Sequence, residues 1–244
     1  MRRFFLTGAT GRLGTVIRSL ASENWEILAE RTDLRSSPPE SVFPGETDHC
    51  INCAALSSRG GCAADPFSAF ALNARWPARL ASYCREHGKR LIHLSTDLVY
   101  SGGIPPYTEG SPAVPKSLYG WTKLLGDRAV LRLNPEALVA RTSVLVGIAG
   151  AKNPTFSEDI IEGRATTFHV DCFRNHTDIR LLAGFLLTEL TSSRSGLILA
   201  AAPYSMSRAA YASSILGCDI KMIPAPPHLS GDLTLRPSAS LTNN

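Results

Sequence analysis

An α/β fold built on a doubly wound parallel sheet is what this sequence predicts, and three observations carry the prediction. Short apolar, strand-like runs alternate with helical patterns in the order β-α-β-α-β-α-β-α-β across residues 1–146. That order is the signature of parallel strands joined by crossover helices. A glycine-rich turn, Gly8-Ala-Thr-Gly11-Arg-Leu-Gly14, stands directly between the first strand and the first helix. Beyond residue 146 the alternation loosens, which predicts a small lobe over residues 147–244, partly interleaved with the first domain and packed over the carboxyl edge of the sheet.

The first strand reads RRFFLT and the helical run after the glycine turn reads TVIRSLAS. Glycines there permit a tight turn and let a pyrophosphate approach the backbone. The helix start adds free N–H groups and the positive end of its dipole. Gly8, Thr10, Gly11, Arg12, Leu13 and Gly14 are therefore candidate dinucleotide-binding residues. WEILAE, residues 25–30, is the second strand. Glu30 at its end suits a ribose 2′-hydroxyl, whereas Arg31 beside it suits a 2′-phosphate, so NADH and NADPH both stay open. Asp33 and Leu34 are placed near the adenine edge.

The stretch SSPPESVFPG carries too much proline for a long helix. His49 to Ala54 is the third strand, ending in Asn52-Cys53-Ala54-Ala55, whose small residues allow close approach of a ligand. A long helical pattern runs from about Pro66 to His87, with Phe67, Phe70, Ala71, Leu80 and Ala81 as expected buried positions. Pro77 should kink or split it, and Gly88 should end it. From its local pattern, Asn73 reads as an exposed surface amide.

RLIHLST is the fourth strand and opens the stretch that carries the chemistry. The strand breaks at Ser95-Thr96-Asp97, a Gly/Pro-rich loop follows, and a helix then carries Tyr119 and Lys123 on to about Leu133. Tyrosine and lysine four apart share one helix face. An ammonium there favours the ionised phenol, so a lowered tyrosine pKa and an acid usable near neutral pH are expected. Thr96 ends its strand where a hydroxyl can meet the tyrosine over one substrate oxygen. ALVARTSVLVG is the next strand. The lobe should hold a short helix at 156–163, a strand in ATTFHV, an amphipathic helix from Asp178 to Leu190, a strand in GLILAA and a helix from Ser207 to Leu216 capped by Ser207. The tail HLSGDLTLRPSASLTNN reads as a polar loop.

Composition narrows the function classes. The 244 residues carry a net charge of +4 with basic residues scattered, which gives no footprint for nucleic acid or a membrane surface. No run approaches the roughly 20 apolar residues of a membrane span. The apolar part of MRRFFLTGATGRLG is too short for a signal peptide, so a cytoplasmic location is expected. Six cysteines do not make a disulfide framework at this length. Cys50 and Cys53 have CxxC spacing, but no second pair or histidine cluster completes a zinc site, and no metal is expected.

The blocks Thr7-Gly8-Ala9-Thr10-Gly11-Arg12-Leu13-Gly14, Asn52-Cys53-Ala54-Ala55, Ala71-Leu72-Asn73-Ala74, Ser95-Thr96-Asp97-Leu98-Val99-Tyr100-Ser101-Gly102, Pro106-Tyr107-Thr108-Glu109 and Tyr119-Gly-Trp-Thr-Lys123 occur in this order. Arg141-Thr-Ser143 and Leu235-Arg236-Pro237-Ser238 follow them. Together they resemble the extended short-chain dehydrogenase/reductase family, and most closely its dTDP-4-dehydrorhamnose reductase branch, over nearly the whole chain. The resemblance implies a Rossmann domain and NADPH- or NADH-dependent reduction of a keto group on a nucleotide-linked sugar, of the dTDP-4-keto-6-deoxy type. It implies that Tyr119 protonates the developing alkoxide, that Lys123 holds the nicotinamide ribose and biases the tyrosine, and that Thr96, with Asp97, positions the carbonyl. Cys53, Ala54, Ala55, Asn73, Tyr119 and Lys123 join the cofactor contacts on this basis, while Tyr100 and Val144 join Thr96 and Asp97 as substrate contacts. Asn73 becomes an active-site or helix-ordering amide. A homodimer is compatible with the family.

Two departures stand out. Val144-Leu145-Val146 replaces the segment where that branch carries an aromatic, and the region from Gly147 to Asp171 looks shortened. A different keto-sugar is therefore admissible. The alternative reading is a cofactor-binding regulatory subunit without turnover, like the methionine adenosyltransferase β subunit. The complete Thr96, Tyr119 and Lys123 set favours the enzyme.

Overall fold

The computed structural model describes residues 2–21, 25–29, 32–152, 154–217, 220–226, 231–238 and 241. Strands β1 (Arg2–Thr7), β2 (Trp25–Ala29), β3 (His49–Asn52), β4 (Arg90–Thr96) and β5 (Leu138–Thr142) join the strand Gly196–Leu199 in one sheet. The order across it is Gly196–Leu199, β5, β4, β3, β1, β2, and every pairing is parallel. The chain therefore winds outward from β1 to β2, then crosses to β3 on the other side. The switch point lies between β1 and β3, where Thr7 and Asn52 are in register. Ligands of such sheets bind in the crevice outside the carboxyl ends of the strands at this point.

Both faces of the sheet are covered, which is why its strands are apolar throughout rather than alternating. Phe4, Leu6, Ile51, Ile92, Leu138 and Ala140 point to one side, against Val16 and Ile17 of the helix Arg12–Leu20 and Leu182 and Leu186 of the helix Ile179–Glu189. Phe5, Cys50, Leu91 and Val139 point to the other, against Trp76, Leu80 and Cys84 of the helix Trp76–Glu86. The lobe half of the chain thus contributes both an edge strand and a helix to the main body. Two elements, the helices Phe156–Ile161 and Arg208–Leu216, pack on each other over the strand Phe168–His169 and form a small separate core with Ile160, Phe168, Ala209 and Ala212.

The long pattern expected over 66–87 is three pieces: Pro66–Phe70, a π-helical turn Ala71–Arg75, and Trp76–Glu86. Pro77 explains the split. Its ring would strike the carbonyl four residues back, on Asn73, and the wider π turn relieves that clash. The extra residue also rotates the helix face. Phe67 and Phe70, expected inside, are 89% and 51% exposed, and Ala69, Ala74 and Trp76 are buried instead. The tail is likewise not all loop. Gly231–Asp232 pairs with Cys172–Phe173, and Leu235 bridges to Tyr107. Among the described residues no helix is long and apolar enough to cross a membrane.

Candidate active site

The glycine turn is shaped by contact with the end of β3. Gly8 has φ +71°, and a Cβ on it would fall 2.7 Å from the Ala54 nitrogen and the Cys53 carbonyl carbon. A Cβ on Gly14 would fall 2.2 Å from the Gly8 oxygen. The turn therefore lies flush on Cys53-Ala54 at the switch point, a close approach that only glycine permits. The helix Arg12–Leu20 starts at Gly11 with no side-chain cap on its first N–H groups, which fits an anion such as a pyrophosphate.

Thr10 is exposed beside this helix start, and Arg12 is half-buried with a hydrogen bond to the Pro154 carbonyl. Two of the predicted cofactor side chains sit elsewhere. Leu13 turns inward with Ile17, because the first apolar face of an amphipathic helix belongs to the core. Leu34 is buried with Phe5 and Phe43. Asp33 is paired with Arg35 on the surface. Glu30 and Arg31 lie outside the described residues, so the choice between NADH and NADPH gains nothing here. Ala54 is buried, with Cys53 and Ala55 half-buried beside it.

Thr96, Tyr119 and Lys123 do converge. The helix Leu118–Leu133 begins at Ser117, whose hydroxyl accepts from the Gly120 N–H. A Cβ on Gly120 would fall 2.2 Å from the Leu98 carbonyl oxygen, and one on Gly126 would fall 2.2 Å from the Asn73 oxygen. Two glycines six residues apart thus seat this helix directly on the turn after Thr96 and on the π turn. Thr96 accepts from the Leu98 N–H at 3.2 Å and shares a hydrogen bond with the Tyr119 phenol. Asn73 is fully buried, not an exposed amide. It accepts from the Leu56 N–H at 2.9 Å and donates to the Leu56 carbonyl and to Thr122. Asn73 thereby orders the Tyr119 helix against the loop that follows β3.

The electrostatics correct one expectation. The Tyr119 phenol is not lowered by Lys123. Burial pushes it up to about 12, the Thr96 hydrogen bond opposes this, and the negative charge of Asp97 adds to it. The reason is geometric: the Lys123 amine turns away, donating to the Leu94 carbonyl at 2.7 Å with His93 Nε2 at 3.3 Å. Lys123 is itself lowered to about 8, chiefly by burial, with Asp127 and then Cys53 opposing. A buried phenol that stays protonated is an acid ready to donate.

Two of the four predicted substrate residues have other partners. Asp97 accepts from Arg174 Nε at 2.6 Å and Nη2 at 2.5 Å, and from the Ser143 hydroxyl. Its carboxylate is committed, so it positions Thr96, whose hydroxyl lies 3.3 Å away, rather than greeting a ligand. Tyr100 is buried, donates to the Thr108 carbonyl and accepts from Arg141. It braces the Gly/Pro-rich loop. Val144 is half-buried next to Ser143, and its carbonyl accepts from the Thr177 N–H.

What sequence reasoning missed is a group of arginines. Arg59 is held below its ordinary value first by burial and then by the charge of Arg174. Arg208 is lowered by burial, then by Arg174. Three guanidinium groups from three distant segments therefore lie within electrostatic reach of one another, with Arg174 paired to the Asp97 carboxylate and Arg59 feeling its charge. The excess positive charge suits a phosphate-bearing ligand. His176 stacks on Tyr211 at the same lobe face, with ring centroids 4.2 Å apart. Burial, then the charge of Arg174, lowers His176 to about 4. No local spacing announces this group, since its members are 115 and 34 residues apart in the chain, taking 174 − 59 and 208 − 174. Among the described residues no cluster of three His, Cys, Asp or Glu is placed to hold a metal ion.

Comparison with known proteins finds relatives of this chain in sequence and in fold. The RmlD substrate binding domain family matches residues 1–222. A probable dTDP-4,6-dihydroxy-2-methyloxan-3-one 4-ketoreductase of Streptomyces antibioticus is 37% identical over 177 residues, 69% of this chain and 59% of that one. The chain spans about half to three fifths of the length of the curated relatives it matches. A dTDP-4-dehydrorhamnose reductase structure from Clostridium acetobutylicum superposes with a TM-score of 0.80 at 26% identity, covering 96% of this chain and 89% of the other. Another from Bacillus anthracis, solved with NADP, gives a TM-score of 0.82 at 22% identity over 97% and 89% of the two chains. At that identity it speaks for the fold alone.

Proposed function

The chain belongs to the RmlD substrate binding domain family, and from that premise we propose that it reduces a keto group on a nucleotide-linked sugar with NADPH or NADH. The observation that carries this reading is the buried, protonated Tyr119 hydrogen-bonded to Thr96, with Arg174 paired to the neighbouring Asp97 and Arg59 and Arg208 within electrostatic reach of Arg174. The uncapped helix start at Gly11 and the backbone of Gly8 to Gly14 suit the cofactor's pyrophosphate, while Cys53 to Ala55 border the crevice beside it. Bound there, NADPH or NADH supplies the hydride that reduces the carbonyl carbon.

The chain's own residues then account for the remaining steps. Thr96 Oγ1, held by the Leu98 N–H, turns its one hydroxyl hydrogen from Asp97 to the substrate carbonyl oxygen and orients it. Tyr119 Oη delivers its proton to that oxygen as negative charge develops, leaving an alcohol and a phenolate. Lys123, one turn along the same face, would hold the ribose of the bound cofactor. Arg59, Arg174 and Arg208 hold the diphosphate, placing the sugar over Thr96. A dTDP-linked 4-keto-6-deoxy sugar is the substrate most in keeping with the names of the relatives.

The test is NADPH and NADH oxidation by the purified chain with dTDP-, UDP-, GDP- and CDP-linked 4-keto sugars. Consumption of at least one of them, with reduced sugar as product, is the expected result. Tight cofactor binding with no turnover on any of them would replace this reading with that of a regulatory subunit.

A further inference from the structure

The reaction scheme leaves one buried polar ring on the lobe side unused. Period-two alternation along the strand Cys172–Arg174 and the two residues after it places Cys172, Arg174 and His176 on one side. All three are buried, His176 to 8% exposure. Between them, Phe173 is partly exposed, and Asn175 turns to the tail, donating to the carbonyls of Ala202 and Leu235. The buried row is the one that meets the main sheet. Arg174 pairs with Asp97 at the carboxyl end of β4, next to Thr96. His176 therefore stands one alternation away from the side chain that reaches the reacting centre, about 7 Å along extended backbone.

The ring of His176 is fixed but not bonded. Its face lies on Tyr211, with centroids 4.2 Å apart and planes 9° apart. Tyr211 is held in turn, because its hydroxyl is 2.7 Å from Ser157 Oγ, which accepts from the Gly147 N–H. Phe156 lies alongside both rings, with the Arg208 guanidinium 4.6 Å over its centroid. Yet among the described residues neither Nδ1 nor Nε2 of His176 has a hydrogen-bond partner. The Arg174 backbone is near enough to favour a ring proton, but without bonding geometry. Buried polar atoms are ordinarily satisfied, and two open ones on a fixed ring are costly unless a bound molecule completes them.

The neighbouring charges say what that molecule brings. Burial, then the charge of Arg174, hold His176 at about 4; the Arg174 backbone opposes them and the charge of Arg208 adds to them. Near neutral pH the ring is therefore uncharged, with one N–H and one bare nitrogen. It adds no positive charge for a phosphate, a task the arginines already fill. A hydroxyl group, at once donor and acceptor, satisfies either nitrogen. We propose that His176 is a specificity-determining residue, held by its stack on Tyr211, that hydrogen-bonds a hydroxyl of the substrate's sugar ring. The assignment rests on the keto-sugar reading, since Arg174 ties this row to Thr96, where the carbonyl would lie.

Binding spectra test this without any hydride transfer. Long-range proton–nitrogen spectra of the ¹⁵N-histidine-labelled protein, assigned with His176→Phe and His176→Asn, should show an uncharged His176 at neutral pH. Its nitrogens should shift on addition of dTDP-, UDP-, GDP- or CDP-glucose, and far less with the matching nucleoside diphosphate alone. An imidazolium in the free protein, equal shifts with and without the sugar, or no shift with any of the four overturns the proposal. His176→Phe keeps the stack on Tyr211 and removes both nitrogens. It should raise KM for the keto-sugar nucleotide that the parent reduces by about tenfold, the worth of one hydrogen bond, with kcat and cofactor affinity nearly unchanged. His176→Asn, which retains a donor and an acceptor, should recover part of that loss. A parental KM in folded His176→Phe also overturns the proposal, and should that variant not fold, the parent spectra decide. A response of His176 to the sugar in a protein that reduces no keto-sugar would sink the reductase reading and leave this contact standing.

Discussion

A single methyl group on Gly120 tests whether the seating of the Tyr119 helix sets the catalytic geometry. In Gly120→Ala the new Cβ would fall 2.2 Å from the Leu98 carbonyl oxygen and 2.9 Å from Pro115 Cβ. Carbon–oxygen contacts ordinarily begin near 3.3 Å, so the helix and the Leu98 turn must separate by about 1 Å. Neither side yields easily, because one is backbone and the other is a proline ring. Alanine in a helix is favoured over glycine by about 1 kcal/mol, and overpacking costs about 1–3 kcal/mol, so the two effects partly cancel in stability. They do not cancel in geometry. Leu98 N–H holds Thr96 Oγ1, and Tyr119 is the residue next to Gly120, so the separation opens directly between the two hydroxyls. A 1 Å misplacement of reacting groups can cost about 10²-fold in rate.

The assay is kcat on whichever keto-sugar nucleotide the parent enzyme reduces, with urea unfolding to verify the fold and fluorescence titration for cofactor affinity. We expect kcat to fall about 10²-fold, unfolding free energy to fall by no more than about 2 kcal/mol, and cofactor affinity to hold, since the glycine turn lies across the crevice. A folded Gly120→Ala protein with the kcat of the parent would refute the claim that this contact sets the Thr96–Tyr119 spacing.

Three further outcomes follow from the same coordinates. Tyr119→Phe should lose about 10²–10⁴-fold in kcat, the usual worth of a positioned acid, with cofactor binding nearly unchanged; parental turnover would remove Tyr119 from the mechanism. Arg174→Met strands the Asp97 carboxylate in a buried site, so calorimetry and urea unfolding should register a loss of about 3–5 kcal/mol, whereas a neutral result would mean that Asp97 finds water or another cation. Lys123 sits at about 8 when folded against 10.5 in the unfolded chain. Between those values the unfolded chain binds the extra proton, so stability rises with pH across this window and the lysine's penalty is fully present below it. Measured as a difference from Lys123→Met, which cancels the opposing slope from Tyr119 only if its phenol stays raised in both proteins, the parent should gain about 3 kcal/mol relative to the variant from pH 8 to 10.5. A flat difference would show that the amine is charged and paired.

How far the site could be foreseen follows from how local each signal is. The turn from Gly8 to Gly14 was legible because its chemistry is confined to one loop between a strand and a helix. Tyr119 and Lys123 were legible because four residues make one helical turn. Asn73 was misjudged from its local pattern, since its partners, Leu56 and Thr122, are 17 and 49 residues away. Phe67 and Phe70 were misjudged because one π turn at Ala71–Arg75 rotates the helix face, and hydrophobic periodicity cannot see an inserted residue. The helices and strands of the lobe were visible as short patterns, but not that the strand Gly196–Leu199 and the helix Ile179–Glu189 return to the main sheet.

By itself, then, the order of residues determined the parallel sheet, the glycine turn at its switch point and the pairing of a tyrosine with a lysine on one helix face. These depend on steric preferences and on periods of two and 3.6 residues, which neighbouring residues impose on each other. Only the tertiary structure decided which of those groups carry protons and charge. Burial raises Tyr119 and lowers Lys123 and His93, Arg174 pairs with Asp97, and Arg59 and Arg208 come within reach of the charge of Arg174. The reason is that the energy of a charge depends on the water it has lost and on the dipoles and charges a few ångströms away, whatever their separation along the chain.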